Sequence, residues 1–137
     1  MTGAGDTIQT RGLRVLVVED SFLIAWSLRR MLNDFGCEVI GPASTVEDAI
    51  RLINESGCDA GILDINLGSE TSMPVAAALI AKGCPFVFVT GYSSPSLLEV
   101  KYSEFRRLRK PISESVLRSA IVEELRGERE QGLGTRD

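Results

Sequence analysis

Histidine does not occur anywhere in this chain. Its absence removes both the commonest protein metal ligand and the commonest general base. Cysteine is scarce, with 3 residues and no Cys-x-x-Cys pair, which gives no zinc or redox motif. Cys37, Cys58 and Cys84 each follow a glycine and lead into an apolar run, so they read as small buried thiols where strands begin. Long apolar stretches are missing too: none reaches the roughly 18 to 20 residues that span a bilayer, and the polar N-terminus is unlike a secretion signal. A cytoplasmic protein is therefore expected, with no membrane contact. Positive charge is in deficit, 15 Lys and Arg against 19 Asp and Glu, which argues against an extended nucleic-acid surface. Whatever chemistry remains must run on carboxylates, hydroxyls and lysine.

What is present suffices for one sizeable core. The 137 residues, 44% hydrophobic and 25% charged, suit one globular domain and are too few for two comfortable ones. Met1–Gly12 is rich in glycine, threonine and polar residues and reads as a flexible leader; 127–137 is charged and glycine-rich and reads as a tail. The folded domain is then 13–126.

Within it, strand and helix patterns alternate. Leu13–Val18 is a strand-like run, and Phe22, Ala25, Trp26, Leu28, Met31, Leu32 and Phe35 then recur at helical spacing up to Gly36. Val39-Ile40 is a short second strand closed by Gly41-Pro42. Thr45 with Asp48 resembles a helix cap ahead of Val46, Ala49, Ile50 and Ile53. Ala60–Gly68, reading A-G-I-L-D-I-N-L-G, is the third and most apolar strand; a loop, Asn66–Met73, follows it, and Pro74 opens a small-residue helix over Val75–Ala81. Pro85–Thr90 is the fourth strand and Ser93–Tyr102 a short helix. Phe105–Arg109 is a fifth strand whose run of cations, Arg106 to Lys110, suits a sheet edge. Ser113 caps a last helix through about Leu125, with Val116, Leu117, Ala120, Ile121 and Leu125 inward. Five such repeats with short connections predict an α/β, doubly wound parallel sheet covered on both faces, a (βα)5 three-layer sandwich rather than an eight-stranded barrel.

In a parallel sheet the carboxyl ends of all strands open into one cleft. The residues placed there are Glu19 and Asp20 after strand one, Asp64 after strand three, Thr90 after strand four and Lys110 after strand five. Each has an ordinary explanation alone: acids favour a helix N-terminus, threonine favours strands, and lysine protects an edge. Together they make a different object. Three crowded carboxylates repel one another unless a cation intervenes, and oxygen ligands in that number suit Mg²⁺. A lysine and a hydroxyl beside that ion suit a phosphoryl group, and a central aspartate can be the nucleophile that receives it.

V-V-E-D (Val17–Asp20), L-D-I-N-L-G (Leu63–Gly68), V-T-G-Y (Val89–Tyr92) and Lys110-Pro111, in that order, resemble the response-regulator receiver domain across Leu13 to Leu125. The resemblance implies a flavodoxin-like sheet of order 2-1-3-4-5. It makes Asp64 the phosphoacceptor, Glu19 and Asp20 part of a Mg²⁺ site with Asp64, and the backbone carbonyl of Asn66 a further ligand. It also gives Thr90 and Lys110 the task of holding the phosphoryl group, and a cis peptide before Pro111. Phe88–Tyr92 is similar to a Phe-Ala-Thr-Gly-x-Tyr subgroup of stand-alone alphaproteobacterial regulators that work with histidine kinases of the HWE type; here Val89 replaces the alanine and Tyr92 directly follows Gly91. Many family members carry a rotating Tyr or Phe three residues before the lysine. This chain has Arg107 there, which shifts the expected switch to Thr90 and Tyr92.

The function so implied is that of a single-domain phosphoacceptor. It would be loaded by a histidine kinase or phosphotransfer protein and would either signal through a downstream protein partner or act as a phosphate sink, as a monomer or a homodimer. One alternative is a haloacid-dehalogenase-type phosphatase, but that chemistry wants a second aspartate two residues after the nucleophile, where this chain has Asn66. The other is a receiver-like adaptor that is never phosphorylated.

Overall fold

A computed structural model of the chain describes residues 11–91 and 105–126. The expected Ser93–Tyr102 helix, Tyr92, the first ten residues of the leader and the 127–137 tail lie outside them. The elements in order are β1 (Arg14–Val18), α1 (Phe22–Asp34), β2 (Glu38–Ala43), α2 (Val46–Glu55), β3 (Ala60–Asp64), β4 (Asn66–Leu67), β5 (Glu70–Thr71), α3 (Met73–Ala81), β6 (Phe86–Thr90), β7 (Arg107–Arg109) and α4 (Glu114–Ala120), which continues as a π-helical stretch over Ile121–Arg126.

Five strands form one sheet in the order β2-β1-β3-β6-β7, every neighbouring pair parallel. This is the expected 2-1-3-4-5 order once the two short strands β4 and β5 are set aside. Side chains alternate across the sheet, and each face buries its own cluster. Leu16, Val18, Leu63, Phe86 and Phe88 pack with Ala49 and Ile53 of α2 and with Val75, Ala76 and Leu79 of α3. On the other face Val15, Val17, Ile62, Val87, Val89 and Leu108 meet Leu28 and Leu32 of α1 and Leu117, Ala120, Ile121 and Leu125. β3 is buried along its whole length, as its continuous apolar run requires. A Cβ added at Gly61 would stand 2.9 Å from Leu79 Cδ1, so the missing side chain is what lets α3 approach the sheet so closely.

Three helices start on side-chain caps: Ser21 Oγ accepts from Ile24 N–H at 3.4 Å, Thr45 Oγ1 from Asp48 N–H at 3.1 Å and Ser113 Oγ from Val116 N–H at 3.2 Å. The leader is not loose to its last residue, for Gly12 N–H donates to the Gly36 carbonyl at 2.8 Å.

Several expectations need correction. β2 runs on through Gly41-Pro42, which was expected to close it. As an edge strand it pairs on one side only, and its register with β1 shifts between Leu16 and Val18, so a proline without an N–H is tolerated there. The Asn66–Met73 loop contains a hairpin, β4 against β5. β7 is shorter than expected, starting at Arg107, and α3 starts two residues earlier, at Met73. Phe22 and Trp26, which belong to the apolar pattern of α1, are 79% and 49% exposed, and Val116, expected inward on α4, is 41% exposed. Cys37 is buried, but Cys58 and Cys84 are only half-buried; all three are thiols outside any disulfide. Among the described residues no helix is long and apolar enough to cross a membrane.

Candidate functional site

The parallel sheet carries the ends of β1, β3, β6 and β7 to the same edge, and their terminal residues meet there. Lys110 Nζ lies 3.0 Å from Asp64 Oδ2 and 3.4 Å from Glu19 Oε2. Asp64 Oδ1 accepts the backbone N–H of Asn66 at 3.3 Å, and Glu19 Oε2 also accepts the N–H of Ser21 at 3.1 Å. Asp20 is exposed beside them, and Glu19, Asp20 and Asp64 each offer a carboxylate oxygen within 4.8 Å of the others. The Lys110-Pro111 peptide is cis, as the resemblance implied.

Burial makes this cluster electrostatically tense. Glu19 and Asp64 are only 2% and 4% exposed. Burial pushes the Glu19 carboxyl up to about 7, helped by the hydrogen bond and negative charge of Asp64 and opposed by the Ser21 N–H and the Lys110 charge. Burial disfavours the charged form of Lys110, but hydrogen bonds to Asp64 and Glu19 and their charges outweigh it and raise its pKa. One ammonium therefore faces three carboxylates. The remaining oxygen of Glu19, Oε1, is buried without a hydrogen-bond partner, which costs free energy unless something positive fills the gap. An all-oxygen donor set with a negative balance and an unsatisfied buried oxygen fits a small, hard divalent cation.

The other expected residues are placed as follows. Thr90, half-buried at the end of β6, donates its hydroxyl to the Gly91 carbonyl at 2.9 Å, and its own carbonyl accepts Lys110 N–H at 2.9 Å. Asn66 is exposed at the start of β4. Arg107 is exposed on β7, in register with Phe88. Phe105, two residues earlier in the chain, stacks its ring on Phe86 at 4.7 Å between centroids. Tyr92 lies outside the described residues.

Three features went unread in the sequence. The Ser21 N–H on Glu19 follows from the helix start and carries no sequence signal of its own. The tip of the β4–β5 hairpin reaches the acidic cluster: a Cβ on Gly68, whose φ is +72°, would stand 3.6 Å from Asp20 Oδ2. The Gly68-Ser69 pair between Leu67 and Glu70 is a two-residue hairpin signal that reads equally well as the end of a strand. Finally, exposed apolar side chains flank the site on α1. A groove of about 650 Å³ runs beside Lys110 between Leu23, Ile24 and Met31 and the segment Pro111-Ile112. A smaller cavity of about 330 Å³ joins Glu19 and Asp20 to Phe22, Trp26 and Arg29.

Comparison with known proteins points one way. A family model described as the response regulator receiver domain matches residues 15–122. The transcriptional regulatory protein PdtaR of Mycobacterium tuberculosis is 31% identical over 87 residues, 63% of this chain and 42% of PdtaR. DesR of Bacillus subtilis is 25% identical over 114 residues, 82% of this chain and 54% of DesR. The chain thus spans about half the length of the curated relatives it matches. Among solved structures, SdrG from Sphingomonas melonis is 38% identical with a TM-score of 0.73, over 81% of this chain and 94% of SdrG.

Proposed function

This chain belongs to the response-regulator receiver family, and from that premise we propose that it is a signalling phosphoacceptor in which Asp64 receives a phosphoryl group. The observation that carries this reading is the buried Asp64 carboxylate at the end of the central strand β3, held by Lys110 at 3.0 Å and by the Asn66 N–H. The donor is a phosphohistidine on a histidine kinase, for which the subgroup resemblance favours the HWE type, or on a phosphotransfer protein. A carboxylate oxygen of Asp64 attacks phosphorus, the P–N bond breaks, and its electron pair returns to the imidazole nitrogen, leaving an acyl phosphate on Asp64.

Each neighbour has a task in that step. Lys110 can turn its ammonium from Asp64 Oδ2 to a phosphoryl oxygen without leaving the cluster. The Thr90 hydroxyl must leave the Gly91 carbonyl to reach the same group. That exchange would disturb the peptide leading to Tyr92 and couple phosphorylation to the following segment, with Arg107 leaving no ring at the usual β7 position. Glu19, Asp20, Asp64 and the Asn66 carbonyl would hold Mg²⁺, which supplies positive charge to the phosphoryl oxygens. The apolar groove beside Lys110, with exposed Leu23 at its rim, offers a docking place for the donor next to the acceptor.

Incubation with Mg²⁺ and acetyl phosphate separates the readings. Stable labelling supports the phosphoacceptor, continuous turnover of donor without label supports a phosphatase, and no reaction supports a silent adaptor.

A further inference from the structure

Between β3 and α3 the chain folds back on itself, and the resulting hairpin is fastened at each corner. Ser72 N–H donates to the Ile65 carbonyl at 3.0 Å and closes its base, while Ile65 N–H is tied to Val89 of β6 at 3.0 Å. Leu67 is buried in the core. Asn66 gives its N–H to Asp64, and the Gly68 tip stands against Asp20. The fourth corner is Glu70. Its Oε2 accepts the backbone N–H of Val46, the first residue of α2, at 3.1 Å.

That contact is more than a helix cap. α2 already has a side-chain cap in Thr45 on Asp48 N–H, and Glu47 and Asp48 supply acidic charge in its first turn. α2 is itself fixed by Ala49 and Ile53 in the core. What Glu70 adds is a tether between the hairpin and a rigid helix. Building on the phosphoacceptor reading, we propose that Glu70 is a positioning residue for the Asp64 site: it holds the β4–β5 hairpin so that Asn66 stays on Asp64 and Gly68 beside Asp20. It thereby sets the affinity of the carboxylate cluster for Mg²⁺.

The test compares Glu70→Ala, Glu70→Gln and Thr45→Ala in the full chain. Mg²⁺ is titrated by Trp26 fluorescence, since Trp26 shares a small cavity with Glu19 and Asp20, and amide exchange is followed at Asn66 and Leu67. Glu70→Ala should weaken Mg²⁺ binding by about fivefold, less than the roughly tenfold or more that losing a group hydrogen-bonded to a ligand itself costs, and should speed exchange at both amides. Glu70→Gln keeps an acceptor for Val46 N–H and should recover most of the affinity. Thr45→Ala loosens the same helix end without touching the hairpin and should leave Mg²⁺ affinity within about twofold. Unchanged affinity and exchange in Glu70→Ala, or an equal loss in Thr45→Ala, would overturn the proposal. If the wild type failed to bind Mg²⁺ at all, the phosphoacceptor reading would fall first, and the exchange data would still show whether Glu70 holds the hairpin.

Discussion

Replacing Glu19 by Gln should make the metal-free protein more stable, and only at high enough pH. Glu19 is 2% exposed, and its carboxyl is pushed from 4.5 up to about 7, first by burial and then by Asp64. A group whose folded pKa exceeds its unfolded one binds more protons in the fold, so stability is greatest at low pH and falls as pH rises from about 4.5 to about 7. The gap between those two values, at about 1.4 kcal/mol per pH unit, corresponds to about 3 kcal/mol of destabilisation once Glu19 is ionised. Gln carries no charge, and the value of about 7 already includes the opposing pull of the Lys110 charge 3.4 Å away. The net gain expected at pH 8 is therefore about 2–3 kcal/mol, shrinking to nothing near pH 4. Urea denaturation of both proteins in chelator at several pH values measures the difference directly. Saturating Mg²⁺ should then invert the order at pH 8, because the wild type gains binding free energy that the variant has partly lost. A stability difference independent of pH would refute the account of a strained, ionised Glu19.

Lys110→Ala leaves two buried carboxylates without their ammonium and should cost about 3 kcal/mol at pH 8 without metal, read from the same denaturation curves. Gly61→Ala would press a methyl carbon to 2.9 Å from Leu79 Cδ1, and a loss of about 1–3 kcal/mol is expected in thermal unfolding. Trp26→Gln, on the exposed face of α1, should change stability by no more than about 0.5 kcal/mol; a larger loss would mean that the Arg30–Trp26 stacking at 5.2 Å matters more than its exposure suggests.

The parallel sheet and the convergence of Glu19, Asp20, Asp64, Thr90 and Lys110 on one edge were legible because both follow from topology. Alternating strands and helices force a parallel sheet, and residues ending its strands then have nowhere else to go. The exposure of Phe22 and Trp26 was not legible because the apolar positions of α1 cover more of its circumference than one helix face can bury; periodicity cannot say which edge of the stripe remains in water. The β4–β5 hairpin escaped notice because strands of two residues carry no alternation to detect. Glu70 was invisible for another reason: its partner, Val46 N–H, is a backbone group 24 positions away that no side-chain pattern marks. The extension of β2 through Gly41-Pro42 depends on that strand being an edge, which is a property of the assembled sheet.

The central claim is tested most directly by locating the phosphoryl group itself. After incubation with acetyl phosphate and Mg²⁺, mass spectrometry of the intact chain and of its fragments should find one phosphoryl group on Asp64. Chelator should prevent its appearance, and Asp64→Asn, folded as judged by circular dichroism, should abolish it. A label on another residue, or equal labelling of the Asp64→Asn variant, would contradict the assignment.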